Sequence, residues 1–549
     1  MKPALKARLQ RAAAAALCAL WLGAFAREPV TAPHFMVAAA HPIAVEAGVA
    51  VLKRGGNAVD AAVAVQMVLG LVEPESSGIG GGAFLLYWSS ADKRLSTYDG
   101  REAAPASARP DRFLDERGKP LPFFDAVVGG RSVGVPGAVR MLELAHARHG
   151  RLPWPELFHA AIFAAEEGFA LSPRLHHLLE QDRFLRTDPQ ARALYYNADG
   201  SAKAVGTRIV NKPYARVLRA IAAGGSDAFY RGQVAEDMVQ AVGSNAKPGD
   251  LAAADLESYR ALVREPLCGP YRQWRVCTMA PPSSGGIALL QILGMLQHTS
   301  FSETAPQSAA AVHLVTEAER LAYSDRARYL GDPGFVRVPV ARLLDPAYVE
   351  GRAKLIGPRS MRLAVPGDTE SPGTSHISIA DPEGNAVALT TTIENPFGSR
   401  IMVDGFLLNN ELTDFDFTPG SANEVRGGKR PRSSMAPTMV FDSKGELRLV
   451  IGSPGGPFII DYVAKALLAR LDWRLDLQAA VDAPNFGSRN GPTELERGSR
   501  YEALVPELRA LGHEVVLRDM TSGLHAVERF ARGWRGAADS RREGVARGD

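Results

Sequence analysis

The stretch 373–400, GTSHISIADPEGNAVALTTTIENPFGSR, constrains the fold more than any other part of the chain. Thr374, His376, Ser378 and Ala380 alternate with Ser375, Ile377 and Ile379; DPEGN at 381–385 supplies a turn, and 386–393 returns as a second strand rich in β-branched residues. The two runs predict a β-hairpin. Its entry is distinctive, because residues 366–373, PGDTESPG, make a polar linker that leads directly to Thr374 at the head of an apolar strand. Such a junction is a natural cleavage point. Cutting the Gly373–Thr374 bond would give Thr374 a hydroxyl nucleophile and a free α-amine on one residue. An α-amine titrates near ~7.7–8, so at neutral pH a useful fraction can take the hydroxyl proton, which a backbone amide cannot do.

The N-terminus points to an exported protein. Lys2, Lys6, Arg8 and Arg11 precede an apolar run at 12–25 that closes in Ala24-Phe25-Ala26, the pattern of a secretory signal over residues 1–26. The run is short for a membrane span, and Leu17 is not the small residue that precedes a lipidated cysteine at Cys18. Retention as an uncleaved anchor is the alternative. Removing the signal leaves Cys268 and Cys277, which flank GPYRQW between two strand-like runs. Two readings stand for them: a disulfide across a hairpin, which an exported compartment permits, or two separate half-buried thiols.

A chain of 549 residues with 46% apolar and 22% charged content can bury the core of one large composite fold or of several domains. Its net charge of +3 is small, and no Lys/Arg run is interleaved with aromatics, so nucleic acid is not an expected partner.

Residues 42–53 read as a helix stopped by Gly55-Gly56, and Asn57 as the N-cap of a second, 58–72, apolar nearly all round and hence a core helix. GIGGG at 78–82 then leads into a strand at 83–88, not into a helix. A phosphate loop or dinucleotide fingerprint is thereby rejected in favour of a tight turn with close backbone approach. Arg101 follows a strand at 95–99. Residues 138–148, 155–168 and 312–329 read as helices, and Glu317, Glu319, Asp325 and Arg326 on the last suggest a solvated, ion-paired face. Further strands are expected at 405–410 and 449–452 and a helix at 461–471. There is no HExxH, CxxC or GxSxG, the histidines are scattered, and neither a metal nor a cofactor is expected.

Several blocks in order resemble the γ-glutamyltranspeptidase (glutathione hydrolase) family of N-terminal-nucleophile hydrolases. They are GGNAVDAAVAV at 55–65, SGIGGGAFLL at 77–86, GREAAP at 100–105, PPSSGG at 281–286, TSHISIAD at 374–381, LLNNELTDF at 407–415, KRPRSSMAPT at 429–438, GSPGG at 452–456 and GAADSRREG at 536–544. The resemblance runs from about residue 35 to the C-terminus. It implies an α+β fold, a four-layer αββα sandwich built from two subunits cut from one precursor: 27–373 and 374–549, forming one composite domain. It also implies that Thr374 is the nucleophile, that Thr392 hydrogen-bonds it, and that Gly455 and Gly456 supply the oxyanion hole. Glu411 and Asp414 would hold a substrate ammonium, and Arg101, Ser433 and Ser434 its carboxylate.

Two departures from the family pattern stand out. Glu394 lies where many relatives have an asparagine at the substrate's amino end, and the segment between Asp414 and Ser433 is short, which predicts an open pocket. The resemblance therefore implies an exported, self-processing γ-glutamyl hydrolase/transferase acting on glutathione-like small molecules, its two subunits forming a heterodimer without a stable membrane span. A glutaryl-type acylase of the same superfamily and an inactive exported binding protein are the alternatives.

Overall fold

The computed structural model describes residues 27–362 and 373–549; residues 1–26, where a signal is expected, and 363–372, in the expected linker region, lie outside them. The hairpin forms as expected. Gly373–Ala380 and Ala386–Glu394 pair antiparallel, with Thr374 opposite Thr392. Asp381 closes the turn, accepting the Asn385 N–H at 2.8 Å through one oxygen and the Ala58 N–H at 3.1 Å through the other. The same carboxyl thus closes the hairpin turn and meets the N-terminus of helix Ala58–Val72, and its burial raises it to about 6.

The hairpin is the middle of a seven-stranded sheet whose order is Val545–Gly548, Met36–Ala39, Gly373–Ala380, Ala386–Glu394, Gly82–Ser89, Arg94–Gly100 and Leu262–Arg264. A second seven-stranded sheet stacks on it, in the order Val30–Ala32, Gly533–Ala538, His525–Phe530, Leu447–Gly452, Thr438–Phe441, Trp274–Thr278 and Leu267–Tyr271. Both sheets interleave strands from before and after Thr374.

The alternation along the hairpin explains the layers. Ile377, Ile379, Val387 and Leu389 face the helices Pro42–Lys53, Ala58–Val72 and Ala138–His149, while Ala380, Ala386 and Ala388 face the second sheet. Helices Gly285–Leu296, Ala309–Tyr329 and Ile459–Leu471 cover the outer side of that sheet, giving the αββα sandwich. Small residues between the sheets leave room for larger ones, such as Trp88 edge-on to Phe441 with ring centres 4.7 Å apart.

Several local expectations change. The charged stripe of helix Ala309–Tyr329 is not solvated: Glu317 and Glu319 are fully buried and Asp325 nearly so. Arg320 pairs with Glu317 at 2.5 Å, Arg352 with Asp325 at 3.0 Å, and Glu319 accepts the Ser488 N–H at 2.8 Å. Glu317 is matched within the helix, while Glu319 and Asp325 meet partners distant in sequence, Ser488 and Arg352. The expected strand at 405–410 shortens to Phe406–Leu407, paired with Met402–Val403. Residues 154–167 divide into a 3-10 turn, Trp154–Phe158, and a helix, His159–Glu167. Cys268 and Cys277 face each other across their hairpin and are bonded.

Candidate active site

The Thr374 hydroxyl lies 3.3 Å from that of Thr392. Thr392 donates its own proton to the carbonyl of Gly373 at 2.7 Å and receives the Glu394 N–H at 2.8 Å, so the hydrogen bond between the two threonines runs from Thr374 to Thr392. The position of Thr392 depends on the turn at 78–82. A Cβ on Gly81 would fall 2.0 Å from the Thr392 carbonyl oxygen, and one on Gly80 2.2 Å from that of Leu407. Close backbone approach, the reason inferred from sequence, is what these glycines provide.

Arg101 comes from the end of strand Arg94–Gly100 and is 1% exposed. Its guanidinium donates to Glu411 and Asp414 on the turn Glu411–Asp414, and to the carbonyls of Pro431 at 3.1 Å and Arg432 at 3.2 Å. Burial opposes its charge, but Glu411, Asp414 and Glu102 hold the proton on and raise it above its ordinary value. Glu102 is buried 3.8 Å from the same guanidinium. Neither Glu102 oxygen, nor Oε2 of Glu411, accepts a donor, and burial raises both carboxyls, Glu102 to about 7. Raising both carboxyls relieves the repulsion between the two acids.

Ser433 and Ser434 close the opposite wall. The Ser433 carbonyl accepts from the N–H and hydroxyl of Ser284 at 2.7 and 2.6 Å, and the Ser434 hydroxyl accepts from Arg326 at 2.9 Å. Arg326, read from sequence as part of a solvated face, therefore supports this wall; the signal that could have marked it is its helix facing the SSGG block. Gly455 and Gly456, at φ +145° and +53°, form the turn before helix Ile459–Leu471, where early N–H groups lack intrahelical acceptors. A Cβ on Gly455 would meet the Tyr462 ring at 2.7 Å.

Arg101, Thr374, Thr392, Glu394, Glu411, Asp414, Ser433, Ser434 and Gly456 line one cavity of about 20 Å³, with Gly455 adjoining it in the chain. It is smaller than the open pocket expected from the short loop. Arg101 rests on Glu411 and Asp414, and the 415–432 segment folds back, Asn423 donating to the Asp414 carbonyl at 2.7 Å. A separate cleft, about 410 Å³, includes Tyr259 and Arg430, and the Tyr259 hydroxyl donates to the Arg101 carbonyl. Glu394 sits at φ +76°, its carboxylate receiving the Asn410 amide. Sequence reading did not single out Glu102 for the site.

Two stacked sheets between helical layers, with a threonine heading an inner strand, define an N-terminal-nucleophile hydrolase sandwich. A family model, Gamma-glutamyltranspeptidase, matches residues 44–548, and the chain belongs to that family. It is 39% identical over 548 residues to the "Glutathione hydrolase proenzyme" of Bacillus subtilis (strain 168), covering 93% of this chain and 91% of the relative. It is 37% identical over 507 residues to the "Acylase ACY 1 proenzyme" of Pseudomonas sp. (strain V22), covering 90% of each. Among solved structures, the cephalosporin acylase from Bacillus halodurans superposes with a TM-score of 0.85 at 27% identity, covering 95% of this chain and 97% of that one.

Proposed function

We propose that the chain is a proenzyme that cuts itself between Gly373 and Thr374 and then acts as a γ-glutamyl hydrolase/transferase on glutathione and related donors. The observation that carries this reading is the convergence on one cavity of the Thr374–Thr392 hydroxyl pair, a buried arginine and two acids. In the precursor, the Thr374 hydroxyl oxygen attacks the Gly373 carbonyl carbon, which Thr392 polarises. The Gly373–Thr374 C–N bond breaks, the proton passes to nitrogen, and water hydrolyses the resulting ester.

The freed α-amine then serves as base. Thr374 attacks the γ-carbonyl of the donor, the N–H groups of Gly455 and Gly456 receive the oxyanion, and the amine leaves with the proton, giving a γ-glutamyl ester on Thr374. Water, or the amine of an amino acid or dipeptide, attacks that ester and regenerates the hydroxyl. Arg101, Ser433 and Ser434 take the donor's α-carboxylate, and Glu411, Asp414 and Glu394 its ammonium. Both acids that pair with Arg101 in the free site are then replaced as its partners by the substrate carboxylate, so no charge is stranded.

Residues 27–373 and 374–549 become the two subunits, held together because each sheet contains strands of both. Export through the 1–26 signal to the periplasm or exterior is supported by the Cys268–Cys277 bond. Among the described residues no helix is long and apolar enough to cross a membrane.

A second reading, a glutaryl- or cephalosporin-type acylase, is favoured by the likeness to two acylases. Denaturing gels of wild type and Thr374→Ala, with turnover of γ-glutamyl and glutaryl anilides, decide between them. An uncut wild-type chain refutes self-processing, and turnover of glutaryl anilide alone establishes the acylase.

A further inference from the structure

The strand that carries Thr374 is paired unevenly. On one side it is matched from Gly373 to Ala380, but on the other Met36–Ala39 reaches only Ile377 to Ala380, leaving the nucleophile's end without a strand neighbour there. Cleavage would also detach Gly373, and with it the pairing to Glu394 and the hydrogen bond from Thr392. A cut Thr374 would therefore be a free chain end held by a ladder on one side. Something else has to fix it within a fraction of an ångström.

Two buried ionic side chains hold that end of the strand. Arg542, in the turn before strand Val545–Gly548, donates to the Thr374 carbonyl at 3.1 Å and to the Thr521 carbonyl at 3.2 Å. Glu73, at the C-cap of helix Ala58–Val72, accepts the Ser375 hydroxyl at 2.8 Å. We propose that Arg542 and Glu73 form a buried clamp that positions the nucleophile, Arg542 through the Thr374 carbonyl and Glu73 through the Ser375 hydroxyl. This rests on Thr374 being the nucleophile.

The surroundings are those of a held charge pair. Glu73 and Glu75 are each 1% exposed and Arg542 is 6% exposed. Arg174 approaches Glu75 at 3.5 Å, and its backbone N–H donates to Glu543 at 2.9 Å. Burial and Arg174 push the Arg542 guanidinium down to about 9, while Glu73, Asp539 and Glu75 pull the other way. Burial raises Glu73, and Arg174 and Arg542 oppose it. Attraction between Arg542 and Glu73 thus offsets part of the burial penalty on each. Neither lines the substrate cavity, so the pair acts on the geometry of attack and not on donor binding.

The test compares Arg542→Gln, Arg542→Lys, Glu73→Gln and Ser375→Ala with wild type, each scored for chain cleavage, melting temperature, kcat and KM on a γ-glutamyl anilide. A misplacement of about 1 Å costs roughly a hundredfold. Arg542→Gln is expected to lower kcat by about that factor in the cleaved fraction with KM nearly unchanged, and Arg542→Lys to recover about tenfold of it. Ser375→Ala should lower kcat severalfold at an unchanged melting temperature, and it keeps the test open if the arginine variants do not fold. Wild-type kcat in Arg542→Gln, or losses that follow the melting temperature with no rescue by lysine, overturns the clamp. Thr374→Ala separates the two claims: residual turnover there removes the nucleophile, whereas an inactive Thr374→Ala beside a fully active Arg542→Gln removes the clamp alone.

Discussion

The Thr392 hydroxyl donates to the carbonyl of Gly373 at 2.7 Å, across the bond expected to break. One side chain thereby draws charge from the scissile carbonyl and, 3.3 Å away, orients the attacking Thr374 oxygen. Thr392→Ala should slow self-cleavage by about a hundredfold, the usual effect of losing one donor to a developing oxyanion, and Thr392→Ser should cleave nearly normally. Band densities on a time course of refolded precursor measure this. Normal cleavage in the alanine variant would exclude the role.

Glu411 and Asp414 test recognition apart from chemistry. Exchanging Asp414 for Ala removes the proposed contact to the donor's ammonium and leaves Arg101 with one acid fewer. The kcat/KM for a γ-glutamyl anilide should fall by about a hundredfold or more, as for loss of one member of a buried ionic pair. A glutaryl anilide, which has no ammonium, should lose far less. Equal losses on both substrates would show that Asp414 serves only the fold.

Glu102 gives a stability test with a defined sign. Its carboxyl is held at about 7 in the folded chain, against an ordinary 4.5. The folded state therefore keeps a proton that the unfolded chain releases on going from about pH 4.5 to 7, and stability falls as pH rises through that window. Glu102→Gln should match wild type near pH 4 and exceed it by roughly 1–3 kcal/mol at pH 8. Urea denaturation at the two pH values reads the difference; an unchanged gap between them would contradict the assignment.

Gly81→Ala should disable the site without touching a reacting group. The added methyl meets the Thr392 carbonyl oxygen at 2.0 Å, and that nearest contact is backbone, which cannot swing aside as the end of a side chain can. A folded variant that cleaves and turns over normally would refute the close-approach reading. Expected instead is slowed cleavage, or a melting temperature several degrees lower.

Much of the site was legible because its residues are marked by covalent neighbours. Thr374 heads a strand after a polar linker, Gly80 and Gly81 stand in an unbroken glycine run, and Gly455-Gly456 end a strand. The stripe on helix Ala309–Tyr329 was misread for the opposite reason. Glu317, Glu319 and Asp325 look like a wet face until the Thr493–Glu496 sheet and Arg352 are placed against them. Arg542 lies in the GAADSRREG block, but nothing in that block shows that it holds the carbonyl of Thr374, 168 residues away.

Sequence alone determined the hairpin and the turns around it and pointed to Thr374 as the proposed nucleophile, since strand alternation, turn chemistry and glycine requirements act over a few residues. Only the tertiary structure decided that Arg101 rests on Glu411 and Asp414, that Glu102 retains a proton near neutral pH, and that Arg542 holds the carbonyl of Thr374. Charge energetics depend on distance through space and on exclusion of water, and neither is written in the spacing of residues along a chain.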